Sequence, residues 1–282
     1  MTKITYIGHS GFLAETEKHL LLFDYYQGVL PDLSEEKSLY IFVSHRHEDH
    51  FNPEIFKLAG KGRQITYVLS FDIKLTEKNL SRWGLKDTDV EVSSAEELSG
   101  IRALSGADPL PDTVHSLERG EETDREEPGK WRRLISVRAN EVCEMEDLKV
   151  ETFRSTDEGV AFLVTVDGVV LYHAGDLHWW MWRGEDKGWL GTMTANFKRE
   201  VEKMAGRKVD IAFLPLDDRQ EEYFFWGMDW YLRNLRVHYA FPMHYWEDDT
   251  VVEQFDRLEC RQDYPTVICD TAHERVWELT EL

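Results

Sequence analysis

Four side chains that can bind a metal ion lie within the six-residue segment His45-Arg46-His47-Glu48-Asp49-His50. The segment follows the apolar run Leu39 to Val43, so a buried strand is predicted to end in a cluster of polar side chains. On extended backbone, residues two apart project to the same side, and His45, His47 and Asp49 can therefore converge. Imidazoles and a carboxylate suit a divalent transition metal, and one hydroxide can bridge two neighbouring metals. The spacing HxHxDH thus indicates a metal-dependent site.

Three later segments repeat this arrangement of an apolar strand that leads to a possible ligand. They are Val169 to Asp176, Ile211 to Asp217 and Val237 to His244. Taken singly, an Asp or a His at the end of a strand is an ordinary turn or cap residue. Together with HxHxDH, Asp176 and His244 complete a metal-site inventory in the order His, His, Asp, His, Asp, His.

The elements that must position these side chains are mostly short strands. Runs of β-branched and aromatic residues, separated by Gly, Pro and charged turns, predict strands from Lys3 onward and again from Leu148 onward. Helical spacing of apolar residues is clearest late in the chain, in Thr194 to Ala205, Glu221 to Leu235 and Val251 to Leu258. Strands that come in runs, with helices interleaved late, favour two sheets covered outside by helices.

The length and composition predict one folded unit. The chain has 282 residues, of which 42% are hydrophobic, and this is enough to bury a sizeable core. We expect a single hydrolase domain over residues 1–282. At about residues 100–140, a charged stretch with few apolar residues is predicted to be an insertion in the form of a solvated loop or lid.

The charge balance restricts the possible partners. The chain has 33 Lys and Arg against 54 Asp and Glu, which gives a formal net charge of −21. A surface this acidic repels phosphate backbones and anionic lipid, so no nucleic acid and no membrane is expected as a partner. No apolar run approaches the ~18–20 residues of a membrane span, and a cytoplasmic protein is predicted. The three cysteines form no CxxC pair, which argues against a cysteine zinc site.

With these motifs the chain resembles the metallo-β-lactamase superfamily, particularly its branch of cytoplasmic metal-dependent hydrolases similar to the ascorbate-6-phosphate lactonases. The resemblance implies an α/β (α+β) fold, the αββα four-layer sandwich, with two mixed sheets face to face, helices outside and the metals at one edge. The segments that carry it are Tyr6 to Phe12, Leu22 to Asp24, the HxHxDH motif, Tyr172 to Asp176, Phe213 to Leu216 and Phe241 to Tyr245.

The resemblance also implies a ligand set for one or two divalent ions. Zinc is the expected metal, with manganese or iron as alternatives. Asp24, at a strand end in the family pattern, can orient a ligand imidazole. The implied ligands are His45, His47 and a third His for one ion, and Asp49, His50 and His244 for the other, with Asp176 bridging the two.

This sequence departs from the family pattern at the third histidine. The stretch expected to carry it reads Arg154-Ser155-Thr156-Asp157-Glu158-Gly159 and contains no His. Thr156 or Asp157 can substitute as an oxygen ligand, or His178 can take the place of the missing imidazole. Because oxygen is a poorer ligand than imidazole nitrogen for a borderline-soft ion, the ion held by His45 and His47 is expected to bind more weakly.

The predicted activity is that of a metal-dependent hydrolase that uses a metal-activated hydroxide on a small-molecule ester, lactone or phosphoester substrate. Asp176 and Asp49 are the predicted catalytic residues, Asp176 by fixing the hydroxide and Asp49 by orienting it or carrying its proton. His9 and His178 are predicted to bind substrate through hydrogen bonds. Trp179 opens a Trp-rich segment that is expected to form an aromatic wall over the site.

Two alternatives remain open from the sequence. A non-catalytic or regulatory metal-binding protein that has lost one metal site has a physical basis in the missing histidine. A phosphodiesterase or nuclease of the same superfamily shares the HxHxDH motif, although the net charge of −21 counts against a long nucleic-acid substrate.

Overall fold

The computed structural model describes residues 1–58, 65–86, 90–95, 132–145, 147–246, 249–280 and 282. These residues form two β-sheets. The strands of the first sheet are β1 (Thr2–Gly8), β2 (Gly11–Glu15), β3 (His19–Phe23), β4 (Ser38–Val43), β5 (Ile65–Ser70), β6 (Val90–Ser94), β7 (Arg132–Val137) and β15 (Val276–Leu279). Those of the second are β8 (Val142–Glu144), β9 (Leu148–Arg154), β10 (Val160–Val166), β11 (Val169–His173), β12 (Lys208–Pro215), β13 (Arg236–Met243) and β14 (Val267–Ile268).

Helices connect the strands in the second half of the chain. The described residues contain α1 (Glu77–Arg82), α2 (Lys187–Glu202), α3 (Trp226–Asn234) and α4 (Thr250–Asp256), with short 3-10 helices at Pro53–Lys57, Asp218–Tyr223 and Glu259–Asp263. No helix among the described residues is long and apolar enough to cross a membrane.

Parallel pairing places the carboxyl ends of several strands together in each sheet. The strand order is 15-1-2-3-4-5-7-6 in the first sheet and 14-13-12-11-10-9-8 in the second. Strands β3, β4 and β5 are parallel neighbours, and so are β11, β12, β13 and β14. Within each sheet, the carboxyl ends of these strands therefore lie at one edge.

Aromatic side chains from the two sheets interdigitate in the central core. The ring of Phe12 on β2 lies 4.3 Å from that of Phe213 on β12, and the rings of Phe42 on β4 and Phe162 on β10 are 5.3 Å apart. These contacts establish that the sheets pack face to face.

The outer faces of both sheets are covered by helices. Ile55 of the first 3-10 helix and Leu80 of α1 belong to the apolar cluster on the outside of the first sheet. On the second sheet, Tyr231 of α3 contacts Tyr172 of β11, with their hydroxyls 3.0 Å apart, and Phe197 of α2 packs against Tyr231. The predicted αββα sandwich is confirmed.

The edge remote from the polar strand ends is held by a buried histidine. The ring of His19, at the start of β3, is 2% exposed and lies between two carboxylates. Its Nε2 is 2.7 Å from Asp147 Oδ2, and its Nδ1 is 2.9 Å from Asp167 Oδ2. Asp167 and Gly168 form the β10–β11 turn with φ of 48° and 78°, values that suit a two-residue hairpin. His19 thus ties a strand of one sheet to turns of the other.

One helix begins earlier, and another later, than the apolar spacing predicts. Helix α2 begins at Lys187 instead of Thr194, because the Asp186 side chain accepts hydrogen bonds from the N–H groups of Gly188 and Trp189. Helix α3 begins at Trp226, since Glu221 has a φ of 53° that interrupts the helical backbone.

The predicted insertion at about 100–140 lies largely outside the described residues, which omit 96–131. Its carboxyl-terminal part is a strand. Residues Arg132–Val137 form β7, which pairs with β5 and β6 in the first sheet. Leu134, Ile135 and Val137 are buried there, so this part of the range contributes to the core.

Gly159 allows the second sheet to approach the HxHxDH segment, and its replacement tests that approach. Its φ is +73°, and an added Cβ would lie 2.0 Å from the Ser44 carbonyl oxygen. Gly168 has a similar φ of +78° but open space around it.

We expect Gly168→Ala to cost about 1–2 kcal/mol for the left-handed backbone alone. Gly159→Ala should reduce the free energy of unfolding, measured by denaturant titration, by at least ~2 kcal/mol more, because overpacking is added to backbone strain. Equal losses would contradict the close contact.

Candidate metal centre

Five strands from the two sheets end at one edge with a polar residue just beyond each end. These residues come after β3, β4, β11, β12 and β13, and they are Asp24, the segment His45 to His50, Asp176, Asp217 and His244. The two sheets meet here through the backbone, because the Val160 N–H donates to the Ser44 carbonyl at 2.9 Å. The edge therefore concentrates imidazoles and carboxylates from both sheets.

Asp176 lies at the centre of this cluster. Its Oδ1 is 3.2 Å from His50 Nε2 and 3.4 Å from His244 Nε2, while its Oδ2 is 3.5 Å from His45 Nε2. Gly175 permits this approach, since its φ is +49° and an added Cβ would lie 2.7 Å from the Ser44 Cβ. One buried carboxylate thus contacts three imidazoles.

The six predicted ligands lie together, and they fall into overlapping groups. In each group the potential ligand atoms all lie within 4.8 Å of one another. The groups are His9 with Asp49, His50 and His244; His45 with His47 and Asp49; His45 with His50 and Asp176; and His47 with Asp157 and Asp176. His9, which the sequence analysis predicts only as a substrate contact, is therefore also close enough to be a ligand.

Several atoms of this cluster are buried without a hydrogen-bond partner. They are His50 Nε2, Asp176 Oδ1 and both ring nitrogens of His9. A buried polar atom left unpaired costs about 1–3 kcal/mol, so such a set is unfavourable unless something satisfies it. A divalent cation satisfies imidazole nitrogen and carboxylate oxygen together, and the donor set is the one that such ions prefer. The residues therefore fit a bound metal ion.

Asp24 orients one of the candidate ligands. This fully buried carboxylate accepts a hydrogen bond from His50 Nδ1 at 2.7 Å and others from the Ser44 N–H and hydroxyl at 2.7 and 2.6 Å. Burial favours the neutral imidazole, but the Asp176 and Asp24 carboxylates outweigh it and raise the pKa of His50 well above its ordinary value. Because Nδ1 is held by Asp24, Nε2 is directed towards Asp176.

Asp217 has the same relation to His244. It is fully buried, and its Oδ2 accepts a hydrogen bond from His244 Nδ1 at 3.1 Å. Although burial opposes ionisation, hydrogen bonds from Arg219 and His244 hold the pKa of Asp217 below its usual range. The sequence pattern puts Asp217 at a strand end, but its support of His244 depends on a contact between the neighbouring strands β12 and β13.

Asp157 is better placed than Thr156 to act as a ligand beside His47. The Thr156 hydroxyl donates to the His178 carbonyl at 2.6 Å and accepts from the His178 N–H at 3.0 Å, so it is committed to the backbone. The Asp157 carboxylate lies 3.9 Å from His47 Nδ1. Burial and the nearby charge of Asp176 raise the pKa of Asp157, which is the response of a carboxylate facing another one without a cation between them.

The structure does not place His178 and Trp179 in the pocket, contrary to their predicted role as substrate contacts. His178 is fully buried, its Nε2 donates to Gln220 Oε1 at 2.6 Å, and burial lowers the pKa of His178 to about 4. The Trp179 ring stacks on Phe197 of α2 at 5.7 Å. The backbone after Asp176 turns both side chains towards the helices, whereas Trp180 faces the pocket.

A pocket of about 460 Å³ opens over the cluster. Its floor contains candidate ligands, and much of its wall is aromatic. Among the described residues, the pocket is lined by His47, Asp49, Thr156, Asp157, Asp176, Trp180, Trp182, Trp189, Met193, Arg219, His244 and Trp246. The aromatic wall expected from the Trp-rich segment is therefore present, formed by later tryptophans than Trp179.

Strained backbone is concentrated around this edge. His9, Asp24, His244 and Trp246 have φ of 53°, 39°, 67° and 51°, a region that costs non-glycine residues roughly 1–3 kcal/mol each. The first three contribute to the cluster or its support, and Trp246 lines the pocket. Packing elsewhere must offset this strain, which holds the side chains in convergent positions.

Comparison with known proteins identifies the family. The profile described as "Beta-lactamase superfamily domain" matches residues 3–187, more than half of the chain. The chain therefore belongs to the metallo-β-lactamase superfamily. No curated protein matches this chain significantly.

Solved structures share the fold at low sequence identity. Igni18, a metallo hydrolase from Ignicoccus hospitalis, is 14% identical with a TM-score of 0.53, and the match covers 99% of each chain. A protein described as a metal-dependent hydrolase, from Parabacteroides distasonis, is 15% identical with a TM-score of 0.51, over 95% of this chain and 91% of that one. CmlA, a diiron β-hydroxylase from Streptomyces venezuelae, is 11% identical with a TM-score of 0.53, over 95% of this chain and 52% of CmlA.

Asp24→Asn tests whether the buried carboxylate supports metal binding. The amide cannot accept as strongly from His50 Nδ1, so we expect metal affinity to fall by about 10–100-fold in a competitive chelator titration. Asp147→Asn is the matched control, since Asp147 also bonds to a buried imidazole, that of His19, but at the remote edge. The control should leave metal affinity unchanged. Equal losses in both variants would indicate that Asp24 acts only on general stability.

Proposed function

We propose that the chain is a metal-dependent hydrolase that binds one or two divalent ions, zinc foremost with manganese or iron as alternatives, and cleaves a small-molecule ester, lactone or phosphoester. The observation that carries this proposal is that two buried atoms, His50 Nε2 and Asp176 Oδ1, face each other at 3.2 Å beneath an open pocket without a hydrogen bond. A purely structural cluster would pair these atoms within the protein. Unpaired ligand atoms beside solvent-accessible space suit a cation that must also contact a substrate.

His45, His47 and Asp157 would hold one ion, and Asp49, His50 and His244 the other, with Asp176 between them and His9 beside the second. A bound divalent ion lowers the pKa of water towards ~7 and polarises a carbonyl or phosphoryl oxygen.

The remaining tasks belong to side chains of the protein. Asp24 and Asp217 fix the imidazoles of His50 and His244 by accepting hydrogen bonds from their Nδ1–H groups. Burial raises the pKa of Asp49, but the nearby imidazoles of His9 and His50 outweigh it and hold the pKa below its usual range, so Asp49 is ionised at neutral pH. Its Oδ2 lies 3.3 Å from His9 Nε2 and is placed to accept a proton from water on the pocket floor.

The size and charge of the protein support a small substrate. A volume of about 460 Å³ is in the range of small-molecule sites. The net charge of −21 opposes the approach of a long nucleic acid, which disfavours the nuclease alternative. The similarity to ascorbate-6-phosphate lactonases and a cytoplasmic setting remain part of this proposal.

Metal analysis and a substrate panel test the activity directly. We expect protein purified without chelators to contain a divalent metal and to hydrolyse at least one ester, lactone or phosphoester. The double variant His50→Ala/His244→Ala should lose most of the metal and the activity. His273→Ala, an exposed histidine paired with Asp270, serves as the control and should lose neither. Full metal retention in the double variant would refute the site, whereas bound metal without turnover would favour the non-catalytic alternative.

The two metal positions should differ in affinity. An ion next to Asp49, His50, Asp176 and His244 would have two imidazoles supported by buried carboxylates, whereas the other would depend on His47 and Asp157, which are both about half exposed. Calorimetric titration should therefore show two steps.

Asp157→Ala should remove the weaker step and leave the stronger one, because Asp157 belongs only to the group with His47 and Asp176. Asp256→Ala, which removes an exposed carboxylate paired with Arg261, is the control. Two equivalent tight sites in the unmodified protein would mean that another residue supplies the missing ligand.

A further inference from the structure

We propose that Arg219, between the indoles of Trp182 and Trp246, binds the anionic group of a substrate that also carries an aromatic ring. This inference deepens the proposed function and depends on it only for the later cleavage step, because binding itself can be measured without turnover. Among the described residues that line the pocket, Arg219 is the one lysine or arginine. The other charged lining residues are the carboxylates and imidazoles assigned above to the metal centre.

The guanidinium of Arg219 is held in place before any ligand arrives. Its Nε lies 2.8 and 3.1 Å from the two carboxylate oxygens of Asp217, and Nη2 also donates to Oδ2. Asp217 is fully buried, so this attachment is shielded from water, while the Arg219 side chain is 46% exposed. Arginine has five N–H donors in a planar fork, and the edge that faces Asp217 leaves donors on Nη1 for a second oxyanion.

Two tryptophans flank this cation. The guanidinium carbon lies 5.8 Å from the centre of the Trp182 ring and 5.4 Å from that of the Trp246 ring. Trp180 stacks on Trp182 at 5.7 Å with an interplanar angle of 9°, which extends the flat apolar surface. Such surfaces favour a planar ring in the ligand, which can stack or meet them edge to face.

Arg219 is also connected to the metal centre. Asp217 accepts hydrogen bonds from both Arg219 and His244 Nδ1, so one buried carboxylate fixes the cation relative to a candidate metal ligand. An anion on Arg219 would therefore be held at a fixed position relative to the bond that is cleaved. A guanidinium needed only to neutralise Asp217 would not have to face the pocket between two indoles. The geometry points to a small aryl or arylalkyl compound with one carboxylate or similar oxyanion.

The test compares 3-phenylpropanoate with its neutral amide on metal-loaded protein, using calorimetry or tryptophan fluorescence. We expect the acid to bind at least about tenfold more tightly than the amide, in line with a charge-assisted hydrogen bond. Arg219→Gln retains a donor for Asp217 but removes the charge. It should abolish the preference by weakening the acid about tenfold, with amide affinity unchanged within about twofold.

Arg207→Gln is the matched control, because Arg207 is also paired with a carboxylate, Glu151, but lies outside the pocket. This control should keep the full preference. If Arg219→Gln fails to fold or loses metal, Arg219→Lys, which keeps the charge without the planar fork, decides the matter and should show a reduced but measurable preference.

Unchanged acid binding in the Arg219 variants would overturn the proposal, since the carboxylate would then bind the metal directly. Equal losses for acid and amide would also overturn it, because Arg219 would then only support Asp217. Trp182→Leu should weaken both ligands alike, and an unaltered affinity would remove the aromatic part of the proposal. The protein could also prefer the acid over the amide in an Arg219-dependent way and yet hydrolyse no substrate of the panel. That result would support the anion site and refute the hydrolase function.

Discussion

A buried imidazole between two buried carboxylates is the interaction on which the rest of this structure depends. His50 lies between Asp24, which belongs to the first sheet, and Asp176, which belongs to the second. Charge attraction offsets the cost of burying all three groups only while the two sheets keep their present relative position. The glycines at 159 and 175 and the strained backbone at His9 and His244 all serve to bring the second sheet this close.

The superfamily fold brings the same strand ends together for different chemistries. Structures of similar fold include a metallo hydrolase and a diiron hydroxylase, each less than 15% identical to this chain. Their common feature is the sheet architecture, and the reaction depends on what lines the space above the strand ends. Among the described residues, that lining combines four tryptophans with a single arginine. These residues come from the segments after β11, β12 and β13 and from α2.

Much of the candidate metal centre could be predicted from sequence because its residues follow directly from strands. The end of an apolar run fixes both the position and the direction of His45, Asp176 and His244, so the pattern of the sequence is enough to bring them together. His178 and Trp179 could not be predicted in this way, because they lie in an irregular turn where side chains do not alternate between faces. Their orientation is set by contacts with Gln220 and Phe197, which are distant in sequence.

The choice between Thr156 and Asp157 was likewise beyond the sequence. Both residues can offer oxygen, and they are distinguished by the hydrogen bonds of Thr156 to the backbone of His178 and by the contact of Asp157 with His47. No motif or spacing in the sequence distinguishes Arg219 from the other arginines, because its position depends on the buried Asp217 carboxylate. The fold class was accessible because periodicity and strand order are local properties, whereas the pocket depends on loops.

The two edges of the sandwich are held together in different ways, by the contacts of His19 at one edge and by the candidate metal centre at the other. At the His19 edge an imidazole and two carboxylates satisfy one another, so the joint is complete with amino acids alone. At the other edge several ligand atoms have no hydrogen bond, and the proposed cation would complete that contact. The two sheets are therefore joined by protein groups alone at one edge, whereas the contact at the other edge includes a removable ion in the proposed metal-bound form. Removal of the proposed cation should therefore loosen the contacts at that edge, while the His19 contacts keep the remote edge closed.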